Sequence, residues 1–262
     1  MSFYFSDKTR EEIEEYVQRD ALIILPVGTT EEHGAHLPVK TDACIAEGFA
    51  KAIGDAMAEE IPLLVMPAVW AGYSPKAMDK WPGTMMIRTR VFMDYVHDIC
   101  ASLMSMGFRK MIMLDCHGQH APMLNIVTKE IADEFDAYIA VTSPLTMSAQ
   151  AFNKKRHSVR GGVLHACEWE TSVMLTLTDL VKMDKAVDVD IMRYHSDFVA
   201  GDSAWGGQKV TWSTWGLQDS KTGVYGDPTV ATKDMGDQIM KDAVENYCKF
   251  IREYYYFKKE NA

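Results

Sequence analysis

Three short segments gather side chains able to bind a metal or move a proton: residues 29–42 (TTEEHGAHLPVKTD), 114–120 (LDCHGQH) and 165–172 (HACEWETS). The first holds Glu31, Glu32, His33, His36 and Asp42. Imidazole nitrogen and carboxylate oxygen are the donors that zinc, manganese and ferrous iron favour, and an E-x-H spacing in extended chain points Glu31 and His33 the same way. The second runs an apolar stretch directly into His117, Gly118 and His120. A histidine in that position serves equally well as a hydrogen-bonded structural residue. In the third, His165, Glu168 and Glu170 precede the apolar run VMLTL. Acidic residues also suit the start of a helix, so spacing alone leaves capping and metal binding both open.

Donors of this kind point to hydrolysis. A carbonyl resists water because hydroxide is scarce at neutral pH, and coordination lowers the pKa of water from about 15.7 to roughly 7 while polarising the carbonyl. The leaving group then needs a proton, a task suited to imidazole. Histidine ligands generally give their other N–H to a carboxylate or carbonyl, and Glu32, Asp115 and Glu168 are candidates for that support.

These clusters must be carried by regular elements. Residues 21–27 (ALIILPV), closed by Gly28, have the pattern of a strand buried on both faces. Ile45, Phe49, Ala52, Ile53 and Met57 trace a helical face over 43–60, and a second apolar run extends from Pro62 to Val69. A helix through Phe92, Val96, Ile99, Leu103 and Met106 stops at Gly107, and 110–115 (KMIMLD) supplies a third strand. Residues 121–135 read as helix, 137–143 as strand, and 168–180 and 229–254 as later helices. Alternation of this kind implies a mainly parallel sheet covered on both faces, with ligands at the strand carboxyl ends. The clusters after the first and third strands should therefore share one rim.

The chain has 262 residues, 47% of them hydrophobic, and a formal net charge of -10, with no basic stripe. That charge argues against nucleic acid and anionic membrane surfaces as partners. Five cysteines without a C-x-x-C pair suggest neither a disulfide framework nor a zinc ribbon, and fit a reducing cytoplasm. No apolar run approaches the roughly 20 residues of a membrane span, and no G-x-G-x-x-G or P-loop pattern occurs.

Taken together the chain resembles the creatininase family of amidohydrolases. The resemblance rests on LPVGTTEEHGAHLP with Asp42, WPGT at 81–84, LDCHGQH, HACEWETS and GVYGDPTVATKDMG at 223–236, in the family's order along nearly the whole chain. It implies one domain over 1–262, a three-layer α/β/α sandwich assembled as a homohexamer, and two divalent cations per chain. Zinc is the usual metal, with manganese or iron as alternatives. Glu31, His33, Asp42, His117 and Glu170 fall on the family's ligand positions. Asp42 matches the bridging carboxylate, with Glu31 and His117 on one ion and His33 and Glu170 on the other; His165 matches the proton-transfer histidine.

The sequence also departs from the creatinine-hydrolysing members. Gln119 stands where they carry a glutamate, and the two tryptophans that flank their substrate have no counterpart near Ser143 to Met147 or at Gly161. A neutral amide cannot act as a base, so creatinine is a poor candidate. Trp205, Trp212, Trp215 and Tyr225 lie instead in the Gly-rich segment 201–228. That segment suits either a cover over the site or a subunit interface. His36, Gln119, His120 and Trp215 are the expected substrate contacts. The expected reaction is attack of activated water on a carbonyl of a small cyclic or polar substrate, with cleavage of an amide C–N bond. Ring opening of a diketo-inositol at a C–C bond, or ligand binding without turnover, are the alternatives.

Overall fold

The computed structural model describes residues 2–206, 209–210 and 219–257. Four strands, β1 (Leu22–Val27), β2 (Leu63–Val65), β3 (Lys110–Asp115) and β4 (Tyr138–Thr142), form a parallel sheet in the order β2-β1-β3-β4. Each follows from a short apolar run too brief for a helix. All six residues of β1 are buried, as a strand covered on both faces requires.

Helices cover both faces. Leu22 and Ile24 pack with α2 (Thr41–Met57), α6 (Glu168–Leu177) and α7 (Lys233–Tyr256), while Ile23, Leu25 and Val27 pack with α3 (Thr89–Met106) and α4 (Ala121–Phe135). This alternation along one strand is the direct result of the two-residue period of side-chain direction. The expected three-layer arrangement is present. α3 ends at Gly107 in the left-handed region (φ 114°), a conformation glycine adopts without a Cβ clash.

The second strand is shorter than the apolar run 62–69. Pro67 has no N–H to give the ladder, and pairing resumes only as a bridge between Val27 and Val69. The same break explains why Pro26 is tolerated in a central strand. Its carbonyl accepts from Val69 N–H at 3.0 Å on the side where β2 has already left the sheet, so its missing N–H removes no regular ladder bond.

Two helices and a two-stranded ribbon have no counterpart in the sequence pattern. The amphipathic helix α1 (Arg10–Gln18) is closed by a Thr9–Glu12 capping box. Helix α5 (Pro144–Lys155) follows β4, and β5 (Val163–His165) pairs antiparallel with β6 (Tyr225–Gly226) in a separate ribbon. None of the five cysteines forms a disulfide, and among the described residues no helix is long and apolar enough to cross a membrane.

The chain leaves β1 toward β2 on one side and returns to β3 on the other. A crevice therefore opens beyond the carboxyl ends of β1 and β3, the position at which open parallel sheets bind ligands. Segments 28–42 and 116–120 meet there. Gly28 is what lets them close up, because a Cβ at this position would stand 2.5 Å from Ala43 N and 2.7 Å from the Asp42 carbonyl carbon. Gly28→Ala is expected to push back the start of α2, to cost about 1–3 kcal/mol in a denaturant titration, and to weaken cation binding at Asp42. Unchanged stability and binding would show that the close approach is not needed.

Candidate metal centre and its cavity

Glu31 and His33 lie on the loop after β1, Asp42 in the first turn of α2, His117 on the loop after β3, Glu170 in the first turn of α6 and His165 at the end of β5. All but Glu170, which is half-buried, are buried. One donor atom each from Glu31, Asp42 and His117 lies within 4.8 Å of the others, and the same holds for His33, Asp42 and Glu170. Asp42 belongs to both groups. A third group, Glu31, His33 and His165, meets the same limit.

Hydrogen bonds orient the imidazoles. A carbonyl can only accept, so His33 Nδ1 donates to the Glu31 carbonyl at 3.0 Å, which turns Nε2 toward Asp42 Oδ1 at 3.1 Å. His165 Nε2 likewise donates to the Glu32 carbonyl at 2.8 Å, leaving Nδ1 as the lone-pair nitrogen, 3.5 Å from Glu31 Oε2. His117 Nδ1 stands 3.1 Å from Asp42 Oδ2 and 3.5 Å from Glu31 Oε2.

The group suits a divalent cation. Both carboxylate oxygens of Glu31 and Nε2 of His117 are buried without a hydrogen-bond partner. A carboxylate in that state is costly unless positive charge neutralises it. Burial raises the Glu31 and Glu170 carboxyls above the ordinary range. Burial alone would lower His33 and His117, but Asp42, Glu170 and Glu31 carry His33 to about 10, and Glu31 with Asp42 carries His117 to about 9. Asp42, despite burial, is held well below the usual carboxylate range by His33 and His117. Burial and the neighbouring His33 push His165 well below its ordinary value.

The sign of the pH effect follows. Cations need unprotonated imidazole nitrogens, and raised values mean that protons compete with the cation up to pH 9 or 10. For chelator-treated protein, affinity for zinc is expected to rise with pH from 6 to 9 by up to about tenfold per unit for each proton displaced. Calorimetry in buffers of different ionisation enthalpy should report proton release on loading; uptake, or no pH dependence, would contradict this picture.

Glu170 has two tasks. Its Oε2 accepts from Cys167 N–H at 3.2 Å, capping α6, while the side chain also stands within donor distance of His33 and Asp42. The capping reading of the third segment is thus met by Glu170, whose side chain also reaches the donor cluster. Glu168, by contrast, is consumed by His157 N–H, Ser158 N–H and the Ser158 hydroxyl, so it anchors the 157–158 turn. Asp115 accepts from His117 N–H at 3.2 Å and faces His120 Nδ1 at 3.3 Å. Glu32 accepts from Gly34 N–H at 3.0 Å, and burial raises its carboxyl to about 7.

A cavity of about 560 Å3, including its open mouth, borders the cluster at His117, His165 and Glu170, with Gln119, Ser203, Tyr225, Leu164 and Met192 as its other main walls. Gln119 lines it. His36 and His120 do not: His36 Nε2 contacts the Thr171 hydroxyl at 3.0 Å, while His120 gives its Nε2 proton to the Tyr73 carbonyl at 3.1 Å and stacks on Phe92. Both are buried behind the metal-donor loops. Trp215, the fourth expected contact, lies outside the described residues, as does Trp212. Trp205 is half-exposed, beneath the Arg160 guanidinium at 5.2 Å.

Ser203 is a wall that the motifs did not single out, whereas Tyr225 belongs to the Gly-rich segment read as a cover or an interface. Ser203 is held by Asp202, whose buried carboxylate takes two bonds from Arg156 (3.0 and 2.8 Å) and one each from Gly161 and Ala204 N–H. Tyr225 pairs with His165 across the β5–β6 ribbon. No nearby sequence pattern announces Ser203, because Asp202 meets Arg156 and Gly161 only through long-range contacts.

The family model described as creatininase, creatinine amidohydrolase, matches residues 6–251. A 3-dehydro-scyllo-inosose hydrolase of Thermotoga maritima is 31% identical over 193 residues, covering 71% of this chain and 60% of that protein, so the match spans less than two thirds of the relative's length. A creatinine amidohydrolase of Pseudomonas putida is 27% identical over 203 residues, 71% of this chain and 76% of that one. A solved creatininase structure described as Zn-Zn type superposes with a TM-score of 0.81 at 23% identity, covering 97% of this chain and 98% of that one.

Proposed function

This chain belongs to the creatininase family, a metal-dependent hydrolase by that membership, and we propose that it cleaves an amide C–N bond in a small, uncharged, polar cyclic substrate. The reading rests on one observation above the others: Asp42 belongs to two three-donor groups at once, as a carboxylate shared between paired cations would. Glu31, Asp42 and His117 would hold one ion, and His33, Asp42 and Glu170 the other. Bound there, divalent cations supply acidified water and Lewis-acid polarisation of a carbonyl. We take zinc as the metal, with manganese or iron as alternatives.

The chain's own residues do the rest. His165, kept neutral by burial and oriented by the Glu32 carbonyl, presents Nδ1 toward the cluster and the cavity, where it accepts a proton and passes it to the leaving group. Gln119, Ser203 and Tyr225 offer an amide, a hydroxyl and a phenol to a bound ring. Among the described residues no lysine or arginine lines this cavity, which favours an uncharged substrate over a carboxylate or phosphate. Assembly as a homohexamer in the cytoplasm belongs to the same proposal, on the resemblance of the motifs and the unpaired cysteines.

A second reading has a specific observation behind it. The Thermotoga maritima relative is named for hydrolysis of an inosose, and Gln119 occupies the cavity wall as a neutral hydrogen-bonding group. Opening a cyclic diketone at a C–C bond uses the same activated water and the same proton carrier. One panel decides: cyclic amides, formamides and cyclic diketones offered to metal-loaded protein, with and without chelator. Turnover of an amide that chelator abolishes supports the first reading; turnover of a diketone alone replaces it with the second. Turnover that survives complete metal removal would overturn both.

A further inference from the structure

The third donor group, Glu31, His33 and His165, overlaps both of the groups assigned above. It cannot be an independent third site. His33 spends its Nδ1 proton on the Glu31 carbonyl and so has one lone pair, which can hold one ion at a time. Glu31 is not limited in this way, since a carboxylate can contact two ions: its buried oxygens have no hydrogen-bond partner, and His117 Nδ1 stands 3.5 Å from Oε2, the oxygen that His165 also faces. His165 presents its lone-pair nitrogen 3.5 Å from that oxygen.

Resting on the two-cation reading, we propose that the ion on His33 has two alternative positions. In one it is held with Asp42 and Glu170; in the other it is held with Glu31 and His165. The two rings of His33 and His165 lie close enough for a shared ion, their centroids 4.2 Å apart. A short displacement of one ion then switches His165 between two tasks. While His165 is a ligand its lone pair is occupied and it cannot accept a proton; when the ion sits on Asp42 and Glu170, the imidazole is available for proton transfer. Glu170 is suited to the exchange because Cys167 N–H already holds one of its oxygens, so the side chain keeps its place when the ion leaves.

Stepwise loading of the chelator-treated protein with cobalt(II), followed by calorimetry and visible absorption, tests this without a substrate. Two ions per chain are expected in the wild type. His165→Gln and Glu170→Gln should each retain a measurable second step, weakened by about 10–100-fold, and His165→Gln should alter the absorption of the second ion. The double variant should lose the second step altogether. Loss of the second step in Glu170→Gln alone, with His165→Gln indistinguishable from wild type, would overturn the proposal while leaving the two-cation reading intact. Failure of the wild type to bind cobalt or zinc would defeat that reading itself. Should His165→Gln not fold, X-ray absorption of the loaded wild type reads the same point, since His33, His117 and His165 together give three coordinated imidazoles where a single position gives two.

Discussion

Asp42→Ala is expected to strip both cations at once and to lower turnover by about 10³-fold or more, because paired cations supply several kcal/mol of transition-state stabilisation and each 1.36 kcal/mol is about tenfold. The effect is large for a structural reason. Asp42 stands 3.1 Å from both His33 and His117, so it joins the two halves of the cluster. Its removal also takes away one of the charges that raise those imidazoles, alongside Glu31 at His117 and Glu170 and Glu31 at His33. The measurement is elemental analysis of protein purified without added metal, set beside turnover on the best substrate of the panel. A variant that still carries two ions would show that Asp42 is not shared. Glu31→Ala provides the contrast, since it should weaken one ion more than the other.

His165→Ala should give the opposite signature. Turnover is expected to fall roughly 10²–10⁴-fold while both ions remain, since each of the other five donors is still in place. The pH profile carries further information. With the imidazole gone, the limb of the rate profile that reports its titration should disappear, whereas damage to folding would lower the rate uniformly across pH. An unchanged rate would remove His165 from the reaction. A loss of one ion at the concentrations used would mean that His165 is an obligatory ligand.

Much of the sheet was legible because its strands are buried runs with clear stops. Lys110–Asp115 and the helix 121–135 appear where the pattern places them, the helix carrying in its first turn a Pro122 that suits that position. The shared rim also follows from alternation alone, since parallel strands put both β1 and β3 loops at one end. What could not be read were features that depend on distant pairing. β5 is three residues long and exists because Tyr225 and Gly226 meet it from far along the chain. Helix α5 buries Pro144, Ser148 and Phe152, too few large apolar positions to stand out. Residue type also conceals direction. His36 and His120 share loops with metal donors, yet Thr171 in one case and Tyr73 with Phe92 in the other turn them inward, away from the cavity.

The donors and the far walls of the cavity come from different parts of the molecule. Glu31, His33, Asp42, His117 and Glu170 sit on the sheet rim and on helix starts packed against the core, whereas Met192, Ser203 and Tyr225 hang on the narrow β5–β6 ribbon and its flanking loops. Such a division lets evolution remodel what is accepted without disturbing what reacts. A lineage can exchange residues along the ribbon, drift toward a new metabolite, and inherit its chemistry unchanged.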